Sequence, residues 1–371
     1  MKTTLKTEKY PSLNGLRAIS ILLVIMMHMQ MHYYITFNKC GHWLQLLLKS
    51  VYYFMCDNGQ LGVNIFFVIS GFLITSLMLN EEKKTGTVFL KGFYTRRILR
   101  ILPAYYFLLL AYFILQIFGI IHLSHTSWLV SLTYTRGFFA KEEGAYIGHF
   151  WSLSVEEFFY LFWPMVFLLG VKTRKKAAWL IFFIVPVIRL CTLFHPISWI
   201  NHLTLYERID AIATGCLVAL YKDKILKLPP PHTYNCYCKI VFGVSVISLV
   251  FLRYLPLLNI IKPHPHLSSF ISTELSCGTT ANIAVAVILL YSVFQARGIW
   301  FKFLNSKILN YIGILSYSLY LWHVIFIMGL NKNEYWVARF PQNLVCAFAA
   351  ALFSHYVIEK PFLKLKERFK R

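Results

Sequence analysis

Apolar runs of about twenty residues recur along the chain between short polar stretches, a length set by the roughly 30 Å hydrocarbon core of a bilayer. They predict helices near residues 18–37, 59–79, 101–121, 150–170, 177–195, 205–221, 240–258, 274–294, 309–330 and 342–358. The expected fold is an all-α membrane protein, a bundle of about ten transmembrane helices. The connecting stretches carry charge unevenly. One alternate set, which begins with the amino-terminal tail and includes EEKKTGTVFLKGFYTRRILR, KTRKK at 172–176, KDKILK at 222–227 and the final EKPFLKLKERFKR, holds 27 of the 37 Lys and Arg. Seven lie in the opposite set, and three, Arg189, Arg208 and Arg253, fall inside expected spans. Short basic loops stay on the cytoplasmic side, so both termini are expected there.

Composition agrees: of 371 residues, 58% are hydrophobic, 17% aromatic and only 14% charged, which excludes an ordinary soluble domain. The net charge of +22 does not read as nucleic-acid binding, because the basic residues are scattered over short loops beside apolar runs. The first seventeen residues are polar and lack an apolar region leading to a small-residue cleavage site, so no removable signal is expected. The eight cysteines lie mostly in or near spans, and Cys236-x-Cys238 has no second pair, so no metal site is expected. A single integral-membrane domain over 1–371, with a basic tail from about 360, leaves any chemistry to the helical bundle.

Polar groups inside the apolar runs are the candidates for that chemistry, since an ionisable side chain at membrane depth is costly. Arg17 and His28 are eleven residues apart in the first run. Eleven steps make three turns and a small remainder, so both lie on one helix face about 16 Å apart, with His28 near the midplane. His28 with His32 also has the i, i+4 spacing of a metal or haem pair, but no further ligand accompanies it. Ser70 and Gly71 in GQLGVNIFFVISGFLIT let the second helix pack closely or approach a ligand beside His28. Arg96, Arg97 and Arg100 stand directly before an apolar span on the cytoplasmic side, with Pro103 expected to disturb the backbone; they suit lipid phosphates or a polyanionic ligand in a cleft.

On the opposite side, Ser154 and Glu157 fit a capping box, which leaves Glu156 on a face with Tyr160 four residues on, where a carboxylate at a helix entrance can orient or polarise a histidine. Arg208 and Asp210 at the mouth of another span read either as a mutually neutralising pair or as part of a binding site. Tyr317, Tyr320 and His323 lie well inside the ninth run, and His323 is too deep for an interfacial belt.

In this order the segments resemble the acyltransferase 3 family of integral-membrane acyltransferases. The resemblance rests on Arg17-x10-His28, FFVISGF at 66–72, RRILRILPAYY at 96–106, WSLSVEEFFYLFWP at 151–164, RIDAIATG at 208–215, SYSLYLWH at 316–323 and VIEKPF at 357–362. It covers nearly the whole chain. Asn64 departs from it, standing where relatives commonly carry an acidic residue; the extracytoplasmic hydrolase-like domain of many relatives is not expected here.

The resemblance implies transfer of an acyl group, most often acetyl, from cytoplasmic acyl-CoA to a carbohydrate hydroxyl at the cell membrane. Acyl-CoA is then a co-substrate, docked by Arg97 and Arg100 with Arg17 and Ser70 near the entrance. His28 is the expected general base, an acyl-histidine being the alternative, and Glu156 assists it. His149, Arg208, Asp210, Tyr320 and His323 are expected to contact the acceptor. A transporter or flippase for an acylated or sugar-lipid solute is the competing expectation, though no inverted repeat supports it.

Overall fold

The computed structural model describes residues 10–32, 42–139, 146–194, 204–227, 234–251 and 265–366. Among these residues the chain is helical and contains no strand. That is the outcome expected in hydrocarbon, where every backbone donor and acceptor must be satisfied within the chain. The helices are α1 (Leu13–His32), α2 (His42–Asp57), α3 (Gly59–Thr85), α4 (Leu90–Ile117), α5 (His125–Leu132), α6 (Phe150–Leu168), α7 (Val171–Phe194) and α8 (Thr204–Ile225). They continue with α9 (Tyr234–Phe251), α10 (Pro265–Ser276), α11 (Thr279–Leu290), α12 (Gly298–Leu304), α13 (Lys307–Val324), α14 (Gln342–Phe353) and α15 (Lys360–Lys366). Wider π turns follow α11 at Tyr291–Gln295, α13 at Ile325–Gly329 and α14 at Ser354–Glu359.

Four of these helical stretches are long and apolar enough to cross a bilayer: Gly59–Thr85, Leu90–Ile117, Phe270–Gln295 and Lys307–Gly329. Leu13–Met29 and Cys236–Leu249 are apolar but shorter. Residues 33–37, 195 and 252–258, the ends of three expected spans, lie outside the described residues.

Some boundaries differ from the sequence pattern in ways that matter for the site. The third expected span begins eleven residues early, at Leu90, so Arg96, Arg97 and Arg100 lie within α4 and not ahead of it. The helix continues through Pro103. Proline removes one donor and crowds the turn before it, yet helices in packed bundles tolerate it when neighbours hold the flanking turns. Likewise α6 starts at Phe150, so Ser154 and Glu157 lie inside it and form no capping box. The Ser154 hydroxyl instead donates to the Phe150 carbonyl one turn back, at 3.1 Å. That correction frees Glu157 to face elsewhere.

Small residues set the helix crossings. A Cβ at Gly62 would lie 2.6 Å from the Ser20 carbonyl, and one at Gly313 would lie 1.9 Å from that of Asn14, so α1 is pressed between α3 and α13 at backbone contact. The Ser20 hydroxyl donates to the Gly62 carbonyl, and Asn14 Nδ2 donates to Asn310 Oδ1 at 2.7 Å. Gly71 and Gly215 form the same kind of crossing between α3 and α8, each within about 2 Å of the other helix's carbonyls if given a Cβ. Gly71 thus serves the α8 crossing and not an approach to α1. Its neighbour Ser70 points the other way.

Candidate active site

Five helices surround a cleft lined by Arg17 of α1, Ser70 of α3, Arg97 and Arg100 of α4, Glu156, Glu157 and Tyr160 of α6, and Tyr317 and Tyr320 of α13. Six of the residues expected from sequence, Arg17, Ser70, Arg97, Arg100, Glu156 and Tyr320, therefore share one cavity. On α4, Arg97, Arg100 and Ile101 at i, i+3 and i+4 form one stripe facing the cleft; Arg96 stands at its edge, one turn from Arg100, and is not among the lining residues.

The charges in this cleft are organised asymmetrically. Ser70 and Tyr160 hydroxyls both donate to Glu156, and their own oxygens are 3.0 Å apart. The Arg97 guanidinium stacks over the Tyr160 ring at 4.8 Å and lies 5.7 Å from that of Phe93. Among the described residues, no ion pair joins Arg17, Arg97 or Arg100 to a carboxylate, whereas Arg96, Arg174 and Arg189 all have such pairs. Three guanidinium groups thus face a partly buried space without a direct ion pair, with Glu156 and Glu157 lining the same space, an arrangement whose free donors suit an anion with several oxygens.

Three histidines adjoin the cleft through Tyr320. The Tyr320 hydroxyl donates to the His149 carbonyl at 3.0 Å and also bonds the Ser152 hydroxyl. Its ring lies 5.7 Å from that of His323 and 5.5 Å from that of His149. His28 Nδ1 is 2.8 Å from His323 Nε2, with the two rings nearly parallel at 5.0 Å. His149 precedes the first turn of α6, and its buried ring nitrogens make no hydrogen bond of ordinary geometry. His28 is half-buried; His149 and His323 are 4% and 0% exposed. The side chain of His32 lies outside the described residues.

Arg208 and Asp210 are not brought to the cleft, and they do not neutralise each other. Two residues apart on a helix, their side chains leave on nearly opposite faces. Asp210 is fully buried and accepts from Arg189 at 3.0 Å, Thr279 at 2.6 Å and Asn282 at 3.0 Å. Arg189 is also 2.8 Å from Glu274. Arg208 donates to the neutral oxygens of Gln60 at 2.9 Å, Asn64 at 3.2 Å and Cys277 at 3.0 Å. Asn64, the departure from the family pattern, thus accepts from an arginine while its own amide donates to Asn282 Oδ1 at 2.7 Å.

Glu157, Tyr160 and Tyr317 also line the cleft but stood outside the site read from sequence. Tyr160 carried a signal, being one turn from Glu156; Glu157 was hidden by an apparent cap.

Long apolar helices around a charged cleft and buried histidines are consistent with an all-α membrane protein that carries polar groups in its interior. The sequence model of the acyltransferase domain family, acyltransferase 3, matches residues 10–359, and the chain belongs to that family. Among similar proteins, one from Staphylococcus aureus (strain COL), named as a candidate O-acetyltransferase, is 30% identical over 98% of this chain and 59% of its own length. The peptidoglycan O-acetyltransferase OatA of Listeria monocytogenes is 25% identical over 98% of the chain and 57% of its own length. The O-acetyltransferase OatA of Staphylococcus aureus (strain NCTC 8325 / PS 47) is 29% identical over 87% of the chain and 51% of its own length. The chain spans between half and three-fifths of the curated relatives it matches. No solved structure matches it.

Proposed function

We propose that this chain is a multi-pass enzyme of the cytoplasmic membrane, with ten crossings and both termini inside, that moves an acetyl group from cytosolic acyl-CoA to a hydroxyl of an envelope or exported carbohydrate. The observation that carries the reading is the juxtaposition of three arginines without direct ion pairs with the His28–His323 pair, joined by Tyr320, which lines the cleft and touches the histidine cluster. Arg17, Arg97 and Arg100 bind the phosphates of the donor nucleotide, and the thioester reaches inward past Ser70 and Glu156. His28 takes the proton of the acceptor hydroxyl as the oxygen attacks the thioester carbonyl. The carbon–sulfur bond then breaks, and His28 returns the proton to the departing thiolate sulfur. Atoms balance to an acetyl ester and free coenzyme A. His149 and Tyr320, beside the histidine pair, orient the acceptor. The names of the relatives support an O-acetyl product, and the Listeria monocytogenes relative makes a peptidoglycan sugar the first acceptor to try.

The test is turnover of labelled acetyl-CoA by the purified protein in lipid nanodiscs with candidate envelope glycans. Expected are one acetyl mass on a sugar and release of free coenzyme A. A transporter would release none. The His28→Ala variant should accumulate normally in the membrane and lose turnover; retained turnover would remove His28 from the reaction.

A further inference from the structure

The histidine pair contains a determinate chain of donors and acceptors. Nδ1 of His323 lies 3.0 Å from the carbonyl oxygen of Leu319 and 2.8 Å from that of Tyr320, one turn back in its own helix. A carbonyl oxygen only accepts, so this nitrogen carries a proton. The ring is fully buried, and among the described residues it has no carboxylate ion pair. A second proton on it would be a buried charge without compensation. Nε2 of His323 is therefore the bare nitrogen, and it faces Nδ1 of His28 at 2.8 Å. One of two nitrogens in such contact must donate, which puts the proton on Nδ1 of His28. In an uncharged imidazole the other nitrogen then holds the lone pair.

We propose that His323 is a positioning residue: anchored by two carbonyls of its own helix, it fixes His28 in the Nδ1–H tautomer and leaves Nε2 of His28 as the atom that accepts the hydroxyl proton. The inference rests on the reading of His28 as base. It moves His323 from acceptor contact to orientation of the base, a role that an aspartate fills in serine hydrolases. Here the orienting group is neutral. When Nε2 of His28 takes up a proton, the resulting imidazolium still donates Nδ1–H to His323, so the bond survives the step. A carboxylate in this place would add a negative charge inside the membrane during every idle period, a standing cost that a second histidine avoids.

The test combines a spectrum with kinetics. Nitrogen-15 spectra of histidine-labelled protein in nanodiscs, with His28 assigned by difference from His28→Ala, should give a protonated Nδ1 and a bare Nε2 for His28. In His323→Leu the His28 population should move toward the Nε2–H form. A wild-type His28 protonated at Nε2 overturns the proposal. In turnover, His323→Leu should lower kcat by about 100- to 10,000-fold, the range seen when a catalytic imidazole loses its orienting partner, with little change in donor KM. His323→Gln, whose Oε1 reaches the position of the lost Nε2, should restore at least about tenfold of that kcat. A glutamine variant no better than the leucine variant also overturns it, and it serves where the leucine variant fails to accumulate. The tautomer is read without any acyl donor, so a mistaken donor or acceptor assignment leaves this result standing and is exposed separately by the turnover assay.

Discussion

Two regions of the bundle are rich in arginine and carboxylate, and they handle charge in opposite ways. Around Arg189, between α7, α8, α10 and α11, each guanidinium edge meets an acceptor: Asp210, Glu274 and Thr279 surround it, and Asn282 completes the shell of Asp210. In the cleft between α1, α3, α4, α6 and α13, Arg17, Arg97 and Arg100 have no ion pair among the described residues, and Glu156 is held by hydroxyls alone. The first region is complete within the chain. The second holds its arginines out of direct ion pairs although Glu156 and Glu157 line the same space. A buried ion pair mostly offsets its own desolvation, so its presence says little about function, while cations kept out of direct pairs retain donors for the ligand proposed above.

The largest effect that would break this contrast is expected at Arg189. Removing it in Arg189→Ala leaves Asp210 and Glu274 buried and facing each other without a cation, a loss of about 3–5 kcal/mol. Thermal melting in detergent and the level of protein in membranes should both fall, while whatever folds should bind acyl donor normally. If instead stability is unchanged and donor binding disappears, the network is part of the site and the distinction between the two regions fails.

Arg97→Ala and Arg100→Ala should do the reverse. Each removes a cation that has no carboxylate ion pair among the described residues, so melting should move far less than in Arg189→Ala. Donor affinity should drop roughly tenfold to a hundredfold per arginine, the worth of a charge-assisted hydrogen bond to phosphate. Equilibrium binding of acyl-CoA to the two variants checks this directly. Unchanged affinity in both would put the nucleotide elsewhere.

Much of this contrast was legible before any coordinates, and the rest was hidden for physical reasons. A charge deep in an apolar run is visible in one dimension, and that is how Arg17, His28, Arg97, Arg100, Glu156 and His323 stood out. Whether a charge is already paired is a three-dimensional fact. Arg208 and Asp210, neighbours in sequence, look like partners, yet their spacing sends them apart, and the true partner of Asp210 is 21 residues away in Arg189. A stricter use of helix periodicity would have separated them. Aromatic residues gave the weakest signal: Tyr160 and Tyr317 could belong to any packed span, and only the cavity distinguishes them. Span lengths were readable within a few residues where the apolar run ended at a loop, but not at α4, whose first three turns are basic and aromatic and are helical because the bundle packs them.

A smaller effect is expected at Glu156. In Glu156→Gln the side-chain oxygen can still accept from Ser70 and Tyr160, but the charge that complements Arg17 and Arg97 across the cleft is gone. Turnover should fall roughly tenfold, with the protein as stable as before. A loss as deep as that of His28→Ala would mean that Glu156 itself exchanges the proton.

The smallest effect provides the control for the whole comparison, because Arg96 and Arg97 are adjacent and identical in chemistry. One hundred degrees of helix rotation separates their fates. Arg96 stands at the edge of the cleft stripe and pairs with Glu81 at 3.0 Å, both side chains 18% exposed. An ion pair of that kind near water contributes on the order of 0–1 kcal/mol. Arg96→Ala should therefore shift melting by little and leave donor affinity within about twofold, while Arg97→Ala, one residue on, loses affinity with little change in melting. If the two alanine variants weaken the donor equally, the arginines act as a diffuse positive field at the membrane surface. Unequal losses, with Arg97 the larger, require a ligand inside the cleft, since only a bound anion can tell two neighbouring guanidinium groups apart by the direction in which each one points.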